Sequence, residues 1–142
     1  MALLLQSSLY AFGFYLALNG LIMLILSMLV VRARVVTRTE IGDGGKPTMA
    51  GPLRAHANNT EYVPMALLLM WGLVTPLGAS IWLIHGVGLP LTLGRILHGV
   101  ALTRSTGTSA LRLVGILLTY TAFIVGIAGL LWGIFFVQPG TS

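Results

Sequence analysis

Four long apolar segments alternate with shorter polar ones along the chain, and this pattern predicts helices that cross a membrane. A membrane-spanning helix needs about 20 predominantly apolar residues, and each segment is long enough. The polar segments between them are rich in Gly, Pro, Ser and Thr, which are typical of helix ends and turns. The predicted spans cover about residues 4–31, 53–74, 80–102 and 110–137, with a long polar loop at about residues 32–52.

The composition agrees with a lipid environment. Hydrophobic residues make up 56% of the chain and charged residues only 8%, whereas soluble domains carry about 25% charged residues. A small soluble domain leaves much of its surface in water and has no room to hide so much apolar side chain. We therefore predict an all-α integral membrane protein, a four-helix bundle in which residues 1–142 form a single domain.

The distribution of charge predicts the orientation of this bundle. Eight Lys and Arg outweigh three Asp and Glu, but they form no basic stripe on a soluble domain, so no nucleic-acid partner is predicted. They gather in the first and third loops. By the positive-inside rule these loops face the cytoplasm, and both termini lie on the other side. The short loops and the lack of retention signals indicate a bacterial inner membrane.

Cysteine is absent from the sequence, so the protein supplies no thiol nucleophile and no cysteine metal ligand. The histidines show no metal-binding spacing either, and no metal site is predicted.

Small residues on the fourth span predict a close contact with a neighbouring helix. These are Gly126 and Gly129, together with Ala122 and Ala128. His85, near the far end of the third span, is predicted to have a structural role.

Polar side chains form stripes on two of the predicted spans. Arg54, Asn58 and Glu61 are spaced by four and three residues, which places them on one side of the second span. Arg95 and His98 share a side of the third span. Glu61 lies about 12 Å inside its span, and Arg95 at a similar depth. Since an unpaired charge there costs at least about 2.5 kcal/mol, we predict that Glu61 and Arg95 form an ion pair.

Arg112 begins the fourth span, where the helix dipole disfavours a cation. It therefore requires an anionic partner: a protein carboxylate, a lipid phosphate or a ligand. Arg32 and Arg34 stand at the end of the first span, so cationic donors from all four helices surround one carboxylate, Glu61. This arrangement is typical of a site for a small anionic, hydrogen-bonding molecule. The alternative is that the stripe on the second span is a purely structural network between helices.

The segment RAHANNTEYVP, residues 54–64, resembles the second-helix signature of the MAPEG family, the membrane-associated proteins in eicosanoid and glutathione metabolism. The resemblance extends over nearly the whole chain, through four spans, a long basic first loop and the Arg-x-x-His pair at positions 95 and 98. It implies a homotrimer with active sites between neighbouring subunits. It also implies glutathione as co-substrate and a hydrophobic small molecule or lipid as the second substrate.

The resemblance also implies roles for individual residues. Glu61 would bind the glutathione ammonium, and arginines would hold its carboxylates. Arg112 matches the arginine that stabilises the glutathione thiolate, because a guanidinium favours the ionised form of a thiol whose ordinary pKa is about 8.5. The implied glutathione-binding positions are Arg34 (or else Arg32), Arg54, Asn58, Glu61, Tyr62, Arg95 and His98.

The predicted function is that of a membrane-embedded glutathione transferase or peroxidase that acts on hydrophobic electrophiles in detoxification. Several family members carry a tyrosine on the third helix where this chain has Ala101 and Leu102, and its third loop differs slightly in length. Some members bind lipids or partners without being enzymes. The alternative is therefore a non-catalytic membrane protein of the same fold that binds lipid or stabilises a partner. A small transporter is disfavoured, because no polar path crosses the predicted bundle.

Overall fold

Four α-helices make up the part of the chain that the computed structural model describes, which is residues 7–75, 77–105 and 107–136. The helices are α1 (Ser8–Thr37), α2 (Pro47–Val74), α3 (Ile81–Arg104) and α4 (Ala110–Phe136), and no strand occurs among these residues. The predicted all-α bundle is confirmed. The predicted start of the first span at residue 4 and the end of the fourth at residue 137 lie outside the described residues.

The loop between α1 and α2 is shorter than the predicted residues 32–52, because both helices extend into it. Arginine is a good helix former, so the basic residues after position 31 do not end α1. The helix ends where Arg38 takes a left-handed conformation, with φ of 50°, a common helix C-cap. α2 begins at Pro47, since proline suits the first helical position. The loop is therefore residues 38–46.

Helix α3 is the centre of the bundle and packs against each of the other three helices. Its buried residues extend along most of its length, from Ile84 to Leu102, while Leu89, Leu93 and Ile96 form an exposed face. Two polar contacts fasten it to α1. The Asn19 amide donates to the Thr92 hydroxyl at 3.0 Å, and the Tyr15 hydroxyl lies 2.9 Å from His85 Nδ1. These contacts fit the structural role predicted for His85.

Glycines bring α3 and α4 into close contact near the middle of the bundle. A Cβ atom placed on Gly94 would lie 2.7 Å from the Gly115 carbonyl oxygen, and one placed on Gly115 would lie 2.7 Å from the His98 backbone nitrogen. The predicted close packing of α4 is confirmed at Gly129, where a Cβ would lie 2.9 Å from Leu83. Ala128 is exposed. The tightest approach between α3 and α4, at Gly94 and Gly115, was not predicted.

Three of the described helices, α1, α3 and α4, are long and apolar enough to cross a membrane. α2 has 28 residues, but its first half carries Arg54, Asn58 and Glu61, so its composition alone does not identify it as a membrane-spanning helix. α2 nevertheless packs along α1, α3 and α4 as part of the same bundle. The protein is therefore a multi-pass integral membrane protein, and the crossing by residues 53–74 stays a prediction.

Candidate functional site

The polar stripe of α2 lines a cavity, as its spacing predicts. Arg54, Asn58 and Glu61 all border a space of about 100 Å³, and Arg54 and Glu61 are exposed. On the other side of this space lie His98 of α3 and Arg112 of α4. The structure therefore brings together five of the residues predicted to form the site, from three different helices.

A larger cavity of about 700 Å³ adjoins the first and shares Asn58, His98 and Arg112 with it. The remainder of its wall includes Tyr62 of α2 and the first three turns of α4. The α4 residues in the wall are Ala110, Arg112, Leu113, Ile116 and Tyr120, preceded by Thr108 and Ser109. The two cavities are therefore neighbours with a shared wall; the smaller has Arg54 and Glu61 on its wall, and the larger has aromatic and apolar residues.

Arg112 stands at the junction of the two cavities because of the way α4 begins. The Arg112 backbone N–H donates to the Ser109 hydroxyl at 3.2 Å, so Ser109 caps the first turn of α4. This capped turn presents the half-buried Arg112 side chain to both cavities.

The predicted ion pair between Glu61 and Arg95 is wrong. The Arg95 side chain is buried, with 2% of its surface exposed, and its Nη1 donates to Asn58 Oδ1 at 2.9 Å. Its Nε and Nη2 donate to the Thr119 hydroxyl at 3.1 and 2.8 Å. Within the described ranges no ion pair joins it to Glu61. The Arg95 side chain lies between α2 and α4, whereas Glu61 is exposed on the wall of the small cavity.

Thr119 is a residue of the site that the sequence did not reveal. Its hydroxyl accepts from Arg95 and donates to the Gly115 carbonyl at 2.9 Å. Arg95 reaches it only because Gly94 and Gly115 let α3 and α4 approach closely. A buried guanidinium without a carboxylate is costly unless its donors are satisfied, and Thr119 together with Asn58 provides these acceptors.

Tyr62 and Tyr120 close the end of the larger cavity opposite Arg54. Their hydroxyl oxygens are 3.4 Å apart and their ring centroids 6.0 Å apart. The Arg95 guanidinium carbon lies 5.5 Å from the centroid of the Tyr62 ring, a cation–π distance. Tyr62 was predicted to belong to the site. Tyr120 was not, because its position on α4 gives no sign of which helix it faces.

Arg34 lies apart from the other predicted site residues. Its Nη1 donates to the backbone carbonyls of Thr39 and Glu40, at 3.2 and 2.8 Å, and so holds the loop that follows α1. Arg34 lines neither cavity, and Arg32 is exposed at the same end of α1.

Comparison with known proteins adds a family to this geometry. The family model described as "MAPEG family" matches residues 12–132, which include α2, α3, most of α1 and α4, and the residues that line both cavities. The chain belongs to the MAPEG family. The resemblance seen in the second span is therefore confirmed.

Two relatives of this MAPEG chain are each named "Inner membrane protein YecN", one from Escherichia coli K12 and one from Escherichia coli O6:H1. Each is 37% identical to it over 84 residues, which is 59% of this chain and 63% of the relative. The match therefore spans less than two thirds of the relatives' length. No solved structure matches the chain.

The MAPEG site combines features that suit an ampholytic ligand. Arg54 and Arg112 are cations on the cavity wall and Glu61 is an anion beside them, while Asn58 and His98 add polar atoms. Guanidinium groups bind carboxylates through paired hydrogen bonds, and a carboxylate binds an ammonium. The adjoining larger cavity has apolar wall residues, such as Leu113 and Ile116, that suit a lipid-soluble molecule.

Proposed function

We propose that this MAPEG protein binds glutathione at the Arg54 end of the paired cavities, and that the glutathione thiolate adds to hydrophobic electrophiles or reduces peroxides. The observation that carries the proposal is the junction of a charged cavity with a larger, partly apolar one at Arg112. A soluble tripeptide and a lipid-soluble partner can meet only where two such spaces connect.

The freedom of Glu61 supports this proposal. Because Arg95 is bound by Asn58 and Thr119, it does not occupy the Glu61 carboxylate, which lies exposed on the cavity wall. Glutathione has one ammonium group for Glu61 and two carboxylates for arginines. The opposite charges of Arg54 and Glu61 on one side of α2 match this ligand better than a simple anion.

Arg112 would act on the thiol. A thiol attacks as its thiolate, and a neighbouring guanidinium stabilises that negative charge. Arg112 lines both cavities, so a thiolate beside it would also face the larger space. The thiolate would then attack an electrophilic carbon of a molecule that enters from the lipid. With a peroxide it would attack an oxygen and break the O–O bond, which releases an alcohol and gives a sulfenic acid that a second glutathione converts to the disulfide and water.

The assembly and location belong to the same proposal. We infer a homotrimer in which each site is completed by a neighbouring copy, since Arg34 lies outside the cavities of its own chain. The relatives are named as inner membrane proteins, which supports a bacterial inner membrane. The basic residues of the first and third loops support cytoplasmic loops, with both termini on the opposite side.

A second candidate function is non-catalytic binding of a lipid or stabilisation of a partner. The observation that favours it is the buried, apolar pair Ala101 and Leu102 on α3, where several members of the family carry a tyrosine. Leu102 lines the small cavity, so this wall offers no hydroxyl to a thiol.

Calorimetry with glutathione tests the binding step. Glu61→Gln removes one charge from the cavity wall and should weaken binding about tenfold, since a hydrogen bond to a charged group contributes about 1.5–3 kcal/mol. Glu40→Gln is the matched control, because Glu40 is an exposed residue of the loop after α1. Equal affinities of the wild type and Glu61→Gln would refute this binding mode.

The ultraviolet absorbance of the bound thiolate tests the chemical step. Arg112→Ala should remove the absorbance while glutathione still binds, whereas Arg104→Ala, at the exposed end of α3, should leave it unchanged. Wild-type protein that binds glutathione but forms no thiolate and turns over no electrophile would favour the non-catalytic function.

A further inference from the structure

The larger cavity has a second polar end that glutathione binding does not explain. Tyr120 lies eight residues beyond Arg112 on α4, about 12 Å along the helix axis. Between them the α4 wall is apolar, with Leu113 and Ile116. Tyr120 is 45% exposed and belongs to the cavity wall, so its hydroxyl and that of Tyr62 form a polar end beyond this apolar stretch.

The hydrogen bonds of the tyrosine pair leave one donor unused. Each phenol has one O–H donor, and one of the two is used between Tyr62 and Tyr120 at 3.4 Å. In the part of the chain that the structure describes, neither hydroxyl has another hydrogen-bond partner. One O–H group therefore remains to bind an acceptor oxygen that enters the cavity.

The exposure of the two residues indicates which hydroxyl is available. Tyr120 is 45% exposed, whereas Tyr62 is half-buried and the Arg95 guanidinium carbon lies 5.5 Å from its ring centroid. The Tyr120 hydroxyl is therefore the more accessible one for a molecule that enters the cavity. When Tyr62 donates to Tyr120, the Tyr120 O–H is free, and accepting a hydrogen bond strengthens the one it donates.

We propose that the Tyr120 hydroxyl binds the acceptor oxygen of the lipid-soluble co-substrate, and that this co-substrate is an α,β-unsaturated carbonyl compound. The inference rests on the proposed function for its reaction, but the binding of a carbonyl oxygen by Tyr120 is testable without glutathione. Tyr120 would be a substrate-contacting residue at the end of the cavity away from Arg54.

The reaction needs no further reactant. The glutathione thiolate adds to the β-carbon and forms a C–S bond, while the C=C π pair shifts to give an enolate. The enolate oxygen carries the developing negative charge and accepts the hydrogen bond of Tyr120, as in an oxyanion hole. A proton from water then reaches the α-carbon and replaces the one that the thiol released, so the net change is addition of S and H across the double bond.

The outer side of α4 gives a lipid-soluble molecule a matching approach. Leu117, one turn before Tyr120, and Ile124, one turn after it, are both exposed large hydrophobics. Tyr120 stands between them at the cavity wall. A molecule with an apolar chain and one polar oxygen can keep its chain against this apolar surface while the oxygen meets the hydroxyl.

Infrared spectroscopy tests the hydrogen bond directly. The probe is a straight-chain saturated methyl ketone, isotopically labelled at its carbonyl carbon and added to detergent-solubilised protein without glutathione. The wild type should shift part of the carbonyl band to lower frequency. Tyr120→Phe should abolish the shift while keeping the ring, and Tyr10→Phe, which alters an exposed tyrosine of α1, should not. A wild-type band without any shift, or a shift retained in Tyr120→Phe, would overturn the inference.

Turnover separates the inference from the proposed function. With glutathione and a long-chain enone, Tyr120→Phe should lower kcat/KM about tenfold or more, mostly through kcat. With a primary alkyl iodide of similar length, which has no acceptor oxygen, it should change kcat/KM less than about twofold. Equal losses on both substrates would show that Tyr120 is only structural.

The two experiments can reject the Tyr120 binding site and the proposed transferase separately. A carbonyl shift in a protein that turns over neither substrate would reject the proposed transferase and keep the Tyr120 binding site. Normal turnover of both substrates by Tyr120→Phe, together with an unchanged carbonyl band, would reject the Tyr120 site and keep the transferase.

Discussion

The two halves of the bundle are built from the same four helices but differ in how they fill the space between them. We call the half around Tyr15 and His85 the closed half, and the half around Arg54 and Arg112 the open half. The closed half has a large buried core, formed by Ala11, Phe12, Tyr15, Ala66, Met70, Leu73, Ile84, Val87, Leu91 and Ala122. The open half has a small core, formed by Leu26, Ala55 and Leu102, and beside it the two cavities.

The halves also treat their polar groups differently. In the closed half, the Tyr15 hydroxyl is paired with His85 Nδ1 between α1 and α3, while the buried His85 Nε2 has no hydrogen-bond partner among the described residues. In the open half, Arg95 is satisfied internally, but Arg54 and Glu61 stay exposed on a cavity wall. Buried polar groups that are paired stabilise a fold, whereas charged groups held at a cavity without internal pairing are typical of a ligand site. The comparison therefore assigns stability to one half and binding to the other.

The largest expected effect comes from separating α3 and α4 where the two halves meet. Gly94→Ala would place a Cβ 2.7 Å from the Gly115 carbonyl oxygen and 2.8 Å from the Thr119 hydroxyl. Because the nearest atom belongs to the backbone, we expect a loss of about 3 kcal/mol in the free energy of unfolding. Tryptophan fluorescence during titration with a denaturing detergent measures this change.

Gly20→Ala is the matched control for this change, since a Cβ on Gly20 meets nothing within 4 Å. Alanine is the better helix former, so this variant should be equally or slightly more stable than the wild type. If Gly94→Ala unfolds like Gly20→Ala, the close contact of α3 and α4 does not hold the open half together.

A smaller effect is expected from the partner of Arg95. Thr119→Val keeps the shape of the side chain but removes the acceptor of two Arg95 donors. Leaving buried donors unsatisfied should cost about 2 kcal/mol of unfolding free energy. Thr121→Val is the control, because the Thr121 hydroxyl is exposed and donates only to the Leu117 carbonyl of its own helix.

The same unfolding titration compares the two valine variants. Equal stability of Thr119→Val and Thr121→Val would mean that Arg95 finds other acceptors, and that the internal network of the open half is weaker than its geometry indicates. A second measurement, glutathione calorimetry, should show a greater loss for Thr119→Val, since Arg95 also holds Asn58 at the cavity.

The sequence predicted the site residues of α2 better than those of α3 and α4. Arg54, Asn58 and Glu61 share one side of a single helix, and the helical repeat alone determines that relation. The partner of Arg95 depends on how α3 and α4 are rotated about their own axes. Depth and charge, from which the pair with Glu61 was predicted, contain no information about rotation. The contact of Gly94 with α4 supplies it, and directs Arg95 away from Glu61.

Helix ends were predicted less well than helix positions. The basic residues after position 31 indicated the edge of the apolar segment correctly, but a helix does not have to end where lipid ends. α1 continues through Arg34 to Thr37, since no residue there breaks a helix. As a result Arg34 extends beyond the cavities of its own chain and binds the loop carbonyls instead.

The smallest effect is expected in the closed half, and it tests whether the two halves are independent. Tyr15→Phe removes the hydrogen bond to His85 Nδ1 and should cost about 1 kcal/mol of unfolding free energy. It should leave glutathione affinity unchanged, because neither Tyr15 nor His85 lines the cavities. Tyr10→Phe, which alters an exposed tyrosine on the same helix, should change neither quantity. If Tyr15→Phe weakened glutathione binding as well, packing in the closed half would set the geometry of the site, and the two halves would not be independent.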